Sequence, residues 1–403
     1  FDFAAKSEIS VGNYAFKQAK AAVSGPLSDT LAARFALSST SRRGTIYNTT
    51  SSQWIQGQDN LGLRGQLLWK PADRLDVTVT GDYSTQNPSC CGTVYVRTAV
   101  TQRPANRQFA ALAAAQGYAP ASTDPFDRLT DLDGQLKAKN RIGGASVRVE
   151  WELGPGELTS ITAWRFWNWD PSNDRDFTGL PIVTLSQNPS QQDQHTQELR
   201  YNYDQGDIGF VAGAFAFHQR IDTQGTEQQG SASTRWNISP TNALYNSNVL
   251  EGLTALNAVS LKNSSAALFG QLSWKVTPGL TIQPGVRLNY DKKQGYYQRQ
   301  VFDSSGNALL LNDSNIYSPA QSAQLAIYAP QEIVPRFSDW NFSYDFTTSY
   351  KLAPDVLVYA TYARSFKSGG INLNGVPTDS TYHAIAAAET VKPETVNHYE
   401  AGI

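Results

Sequence analysis

The sequence predicts an all-β chain: a transmembrane, antiparallel, up-and-down β-barrel with long extracellular loops. Three observations predict it. Apolar and polar residues alternate with period two in segment after segment, aromatic residues gather at segment ends, and connections alternate between very short and very long. The alternation marks strands with one apolar and one polar face. It does not say which face is wet, because a soluble sandwich alternates too. Segments of about 10 residues or more suit tilted transmembrane strands, and Trp69, Trp151, Trp274 and Tyr290 sit at their ends as an interfacial girdle requires.

The elements follow in chain order. Leu61, Leu63, Leu67 and Trp69 alternate with Gly62, Arg64, Gln66 and Lys70. After a turn at Pro71–Asp73, Leu75, Val77, Val79 and Tyr83 interleave with Asp76, Thr78, Thr80 and Asp82. Val147, Val149, Trp151 and Leu153 oppose Arg148, Glu150 and Glu152. Leu280 to Tyr290 and Phe342 to Tyr350 repeat the pattern. Tight turns fall at Ser24–Asp29, Lys70–Asp73, Leu153–Gly156, Asp204–Asp207, Val276–Gly279 and Leu352–Asp355, each holding Gly, Pro or Asp. Between the hairpins lie polar stretches, Ser84 to Asn140, Asp170 to Gln194, Ile221 to Lys262 and Lys292 to Asp339, too long for connections inside a compact soluble domain. Short turns at one end and long loops at the other match an outer-membrane barrel. Two loop segments have helical character: Asn106–Gln116, Ala-rich and stopped by Gly117, and Asn242–Leu256, with Leu244, Val249, Leu250, Leu253 and Leu256 in helical spacing. Six hairpins and a last strand entered at Pro393–Ile403 give about thirteen strands, an odd count that predicts a partial barrel over residues 1–403.

Composition excludes several classes. With 33 Lys and Arg against 35 Asp and Glu, the net charge of -2 gives no electrostatic reason for a nucleic-acid partner. Aromatics at 11% argue against disorder. No apolar run is long enough for a transmembrane helix. The chain holds no Met and no signal peptide at Phe1, so a processed or partial chain is expected. No catalytic motif is present, and paired acids such as Glu150 and Glu152 are explained as same-face neighbours on a strand facing a polar lumen. An enzyme is not expected.

Several stretches together resemble one family. Val11-Gly12-Asn13-Tyr14 followed by Val23-Ser24-Gly25-Pro26-Leu27-Ser28-Asp29-Thr30-Leu31 looks like the first barrel hairpin of TonB-dependent outer-membrane receptors. Leu158 to Arg165, Gln197-Glu198-Leu199-Arg200, Val358 to Tyr362, Phe366 to Asn372, Lys392-Pro393-Glu394 and Tyr399 to Gly402 are similar to successive pieces of that barrel. The resemblance implies a barrel of about 22 strands with an N-terminal plug; the plug, its TonB box and the last strands would then lie outside this chain. It also implies active import of a scarce, bulky nutrient, most often a ferric siderophore, energised by the TonB–ExbB–ExbD complex through the plug. Outer-membrane lipid and lipopolysaccharide would surround the barrel in a Gram-negative outer membrane, and a surface lipoprotein is a further conceivable partner. A passive porin-like channel and a surface ligand-binding component are the alternatives. No cofactor is expected.

Candidate site residues have plain structural readings beside the functional ones. Arg165, Trp167, Trp169 and Asp170 lie where a strand leaves the membrane; they could grip an aromatic or anionic ligand, or form an interfacial belt. Gly370, with Gly369 and Asn372, either shapes a loop by positive φ or meets ligand directly. Asp170, Asp174 and Asp176 offer hard oxygen ligands without the spacing of an EF-hand, so a solvated acidic loop is the plainer reading and no metal is expected. Cys90 and Cys91, early in the longest loop, are expected to form a vicinal disulfide outside the cell, with metal or haem ligation by the thiols as the alternative. His195, His218, His383 and His398 show no metal-ligand spacing.

Overall fold

The computed structural model describes residues 2–403. Fourteen long strands form one antiparallel sheet, each paired with its neighbours in chain order. They are β1 (Ala4–Gly12), β2 (Phe16–Ser28), β3 (Leu31–Arg42), β4 (Gln58–Ala72), β5 (Leu75–Gln86), β6 (Lys137–Leu153) and β7 (Gly156–Ser172). The remaining seven are β8 (Ser190–Gln205), β9 (Ile208–Gln229), β10 (Thr254–Lys275), β11 (Leu280–Phe302), β12 (Arg336–Ala353), β13 (Val356–Lys367) and β14 (Glu394–Gly402). Short strands Val183–Gln187 and Gln331–Ile333 extend the sheet at one rim. β1 and β14 each have a partner on one side among the described residues, so the sheet is open between them.

Six hairpins are closed by the tight turns read from the sequence, with Gly154 and Gly206 at φ 62°, a conformation that costs glycine little. A seventh was missed, so the strand count rises from about thirteen to fourteen. β1 returns into β2 through Asn13-Tyr14-Ala15, where Tyr14 and Ala15 take the left-handed conformation at φ 60° and 54°. Neither residue type signals such a turn. Arg43 and Arg128 hold it from outside: the Arg43 N–H donates to the Tyr14 carbonyl at 2.8 Å, and both guanidiniums lie over the Tyr14 ring.

The loops also need correction. Ile221–Gln229, Thr254–Lys262 and Lys292–Phe302 are strand, paired in register, which makes β9, β10 and β11 22, 22 and 23 residues long. They read as loop because a strand that has left the lipid needs no apolar face. One loop escaped notice, residues 43–57, and the loop expected at Gly369–Asn372 runs on over residues 368–393. The Ala-rich helix is present at Phe109–Ala114, with Gly117 at φ 63° behind it. Asn242–Leu256 is not a helix; its turns put Leu250 and Leu253 into a core at 0% exposure. A helix does form at Pro319–Ile327, started by a capping box between Ser318 and Gln321.

Apolar residues therefore divide between two places. One is the outer face of the sheet, where Leu199, Ala214, Leu268, Leu288 and Phe342 form a row across five strands. Leu268 is 64% exposed and Trp340 63%, as an exterior bathed in acyl chains requires. The other is the mouth on the long-loop side. There Leu250, Leu253, Leu309, Leu325 and Tyr328 pack on the inward residues Ala255 and Val301 at the tops of β10 and β11. Tyr297, Ile333 and Val376 form a second core beside it. The loops thus fold inward over the lumen.

Candidate functional site

Register assigns each side chain to a face. Because successive residues of a strand alternate, β7 sends Arg165, Trp167 and Trp169 inward, and Trp164, Phe166, Asn168 and Asp170 outward. Arg165 pairs with Asp82 on β5, although β6 lies between them. Gly144 of β6 opens the path: a Cβ there would stand 2.8 Å from the Arg165 Cδ. The same inner face carries Glu8, Lys20, Arg34, Arg64 and Asp82 around a groove of about 700 Å³. Lys20 reaches Glu8 at 3.5 Å, while Arg34 and Arg64 enter no ion pair among the described residues. The groove carries more cation than carboxylate, which suits an anionic guest.

Higher on β7, the Trp167 and Trp169 rings stack at 5.5 Å between centroids and 21° between planes. They offer a flat apolar face beside the Arg165 guanidinium's strand position. Asp170 departs from this set. It projects outward and pairs with Lys137.

Gly370 and Asn372 lie in the loop between β13 and β14. Gly370–Ile371 pairs with Thr390–Val391, and the Asn372 N–H donates to the Glu389 carbonyl at 2.8 Å. Neither Gly369 nor Gly370 has a positive φ; that conformation falls to Gly375 at φ 80°. Gly369 is needed for close approach instead, since a Cβ would stand 2.5 Å from the Phe337 ring. Lys293, inward on β11, donates to the Gly369 carbonyl and, at 3.0 Å, to the Ser368 hydroxyl. Leu373 and Ile371 cover Gly295, so this loop lies against the lumenal wall. Gly370 and Asn372 are not brought next to Arg165 by any contact; each lines its own part of the mouth.

The acidic trio also rearranges. Asp133, Asp174 and Asp176 bring carboxylate oxygens within 4.8 Å of one another, and Asp133 takes the place expected for Asp170. Asp174 is fully buried and accepts from the N–H groups of Asp133 at 3.0 Å, Gly134 at 3.1 Å and Phe177 at 2.6 Å. Asp176 accepts from Thr178 and from the Val183 N–H at 2.9 Å. These bonds tie two loops together. Burial, with the charges of Asp174 and Asp176, pushes the Asp133 carboxyl up to about 7. Burial raises Asp176 to about 6. Oxygen donors so arranged suit a hard cation, yet Asp174 is already satisfied by backbone. The signal missed in the sequence is Asp131-Leu132-Asp133-Gly134, a second acidic run far from the first. Cys90 and Cys91 are joined as a disulfide between adjacent residues, at the rim beside Gln56 and Gly92.

Residues 91–403 match the family described as TonB dependent receptor-like, beta-barrel. The chain belongs to that family. It is a family of transport receptors, and its barrels reside in the outer membrane of Gram-negative bacteria. Among solved structures, the receptor barrel is similar to the ferric yersiniabactin uptake receptor FyuA from Yersinia pestis, at TM-score 0.70 and 16% identity, covering 100% of this chain and 52% of that one. It is also similar to the siderophore receptor PiuA from Acinetobacter baumannii, at TM-score 0.61 and 14% identity, covering 100% and 54%. The copper transporter OprC matches at TM-score 0.60 and 10% identity, covering 99% and 51%. The chain thus spans about half the length of these structures, and likeness at such identities carries the fold alone. By sequence, no curated protein matches.

Proposed function

We propose that this receptor barrel is part of an outer-membrane importer that takes up a ferric siderophore and is energised through TonB. The observation that carries the proposal is the family match over residues 91–403. FyuA and PiuA are receptors for siderophores by name, and the fold they share with this chain supports the same class of ligand here. The inner face adds a chemical reason. Arg34, Arg64 and Arg165 supply charge-assisted bonds to an anionic ferric chelate, and Trp167 and Trp169 supply a stacking surface for its aromatic rings. A partner complex of TonB, ExbB and ExbD supplies the energy, because the outer membrane has no nucleotide pool of its own.

Titrating the purified full-length receptor with catecholate, phenolate and hydroxamate ferric siderophores, read by tryptophan fluorescence, tests the ligand class. Saturable quenching by one of them is expected, weakened at least tenfold in Arg165→Gln. Saturation by none of these chelates, alongside tight binding of a cupric complex, would exclude the iron reading.

A further inference from the structure

Beyond the transport path, the outer face of the wall brings together two histidines that the sequence keeps apart. His195 on β8 and His218 on β9 stand directly opposite each other in register. Both belong to the outward set, with Leu199 and Ala214 below them on the same strands, and both are exposed. Directly opposed side chains start about 5 Å apart at Cβ. Two imidazole nitrogens that share one ion, each about 2.0–2.1 Å from it, lie about 3 Å apart. Facing rings close that gap by side-chain rotation alone.

The neighbours prepare the pair. The His218 Nδ1 lies 2.9 Å from the Ser264 Oγ on β10. With Nδ1–H as the donor, Nε2 keeps its lone pair and is turned from β10 toward His195, and a ligating histidine commonly gives its other nitrogen to such a partner. Asp193 is the next residue on that face of β8, diagonal to His218. The Trp164 indole N–H donates to its Oδ1 at 3.2 Å, while its Oδ2 accepts no bond and enters no ion pair among the described residues. Arg220, opposite Asp193, is held by Asp222 instead, at 2.7 Å. Asp193 is therefore left to offset the charge of an ion held by the two rings.

The donor set decides the guest. Calcium and magnesium take oxygen ligands, whereas imidazole nitrogen suits zinc, copper and nickel. We infer that His195, His218 and Asp193 bind a divalent transition-metal ion on the outer wall of the barrel. From Ile208 at the short turn to His218, a strand rising about 3.3 Å per residue and tilted by about 40° climbs about 25 Å, the thickness of the apolar belt. The site thus sits at the outer edge of that belt, where water reaches it and fills the remaining coordination positions. An ion there joins β8 to β9 through side chains at the level where the lipid-facing wall ends. The inference rests on the register of β8 and β9 and not on what is imported.

The test is histidine labelling of the full-length, untagged receptor in detergent at neutral pH, stripped with chelator and then given zinc or magnesium chloride. Diethyl pyrocarbonate acylates an imidazole nitrogen whose lone pair is free, and peptide mass spectrometry locates each adduct. Zinc is expected to slow labelling of His195 and His218 together at least tenfold, while His383, in the loop between β13 and β14, keeps its rate. Magnesium should protect neither. Copper(II) supplies a second arm: a spin-resonance signal with two nitrogen ligands is expected in wild type and lost in His195→Gln and in His218→Gln, while His383→Gln keeps it. Labelling of either paired histidine at an unchanged rate in zinc, or a copper signal that survives both substitutions, would overturn the inference. The labelling arm needs no variant, so it stands wherever a substitution disturbs folding.

Discussion

Gly143 and Gly144 point to opposite faces of β6, and across each of them a β7 side chain reaches β5. Outside, the Phe166 ring passes over Gly143 toward Tyr83, with centroids 6.4 Å apart; a Cβ at Gly143 would stand 2.7 Å from that ring. Inside, Arg165 passes Gly144 to Asp82. A branched side chain has no room at either position. Gly144→Val is expected to destabilise the barrel by about 1–3 kcal/mol, as overpacking does, and to free Arg165 from Asp82. A urea unfolding series in lipid vesicles checks the first effect, and a midpoint equal to wild type would contradict it. The cysteines give a second residue-scale prediction. Without reductant, Cys90 and Cys91 should take up no iodoacetamide in the folded receptor; after reduction both should label. Labelling before reduction would mean the pair is a dithiol in life.

Among the elements, the strands inside the lipid were legible because each must keep an apolar face outward, and period two survives wherever that demand holds. Val147, Leu288 and Phe342 all point outward as the alternation predicts. The demand ends above the membrane, so the tops of β9 to β11 carry runs such as Gln224 to Gln229 that look like loop yet pair fully. The turn into β2 was invisible for another reason: Tyr14 and Ala15 are held left-handed by tertiary contacts, not by their own preferences. Site residues were legible only as a local cluster. Alternation splits Arg165, Trp167 and Trp169 from Asp170, and Asp133 joins its acidic partners through a loop contact that sequence spacing does not encode. Those carboxylates carry a pH dependence. Asp133 and Asp176 have folded values of about 7 and about 6, above the usual value of about 3.9. A raised carboxyl value means the folded junction binds protons that the opened one releases, so its stability is greatest in acid and is lost as pH rises through 6 to 7. Amide exchange at Gly134 and Phe177, measured in chelator, should report a looser junction at pH 8 than at pH 5.5 after correction for intrinsic rates. Asp133→Asn should flatten that difference; an unchanged profile in the variant would contradict the assignment. The loop core makes its own demand. Leu253→Ala removes a fully buried side chain and should loosen the canopy by about 2–5 kcal/mol. Proteolytic cleavage within residues 230–253 would show it, with the barrel strands left intact.

At the scale of the whole molecule, one chemistry explains the distribution of apolar side chains. A sheet whose exterior meets lipid and whose interior is polar has no core between its walls, so the buried residues collect where loops fold over the mouth. The loop core packs on β10 and β11, and the inward cationic face lies on β1 to β5 and β7. Passage of a bulky chelate against its gradient needs energy, and this separates an importer from an open pore. The most direct measurement is uptake of iron-55 as its ferric siderophore by cells carrying the full-length receptor, before and after a protonophore collapses the proton-motive force. Uptake that stops while surface binding persists is the expected result. Uptake that continues at the same rate would contradict energised import and leave a passive channel.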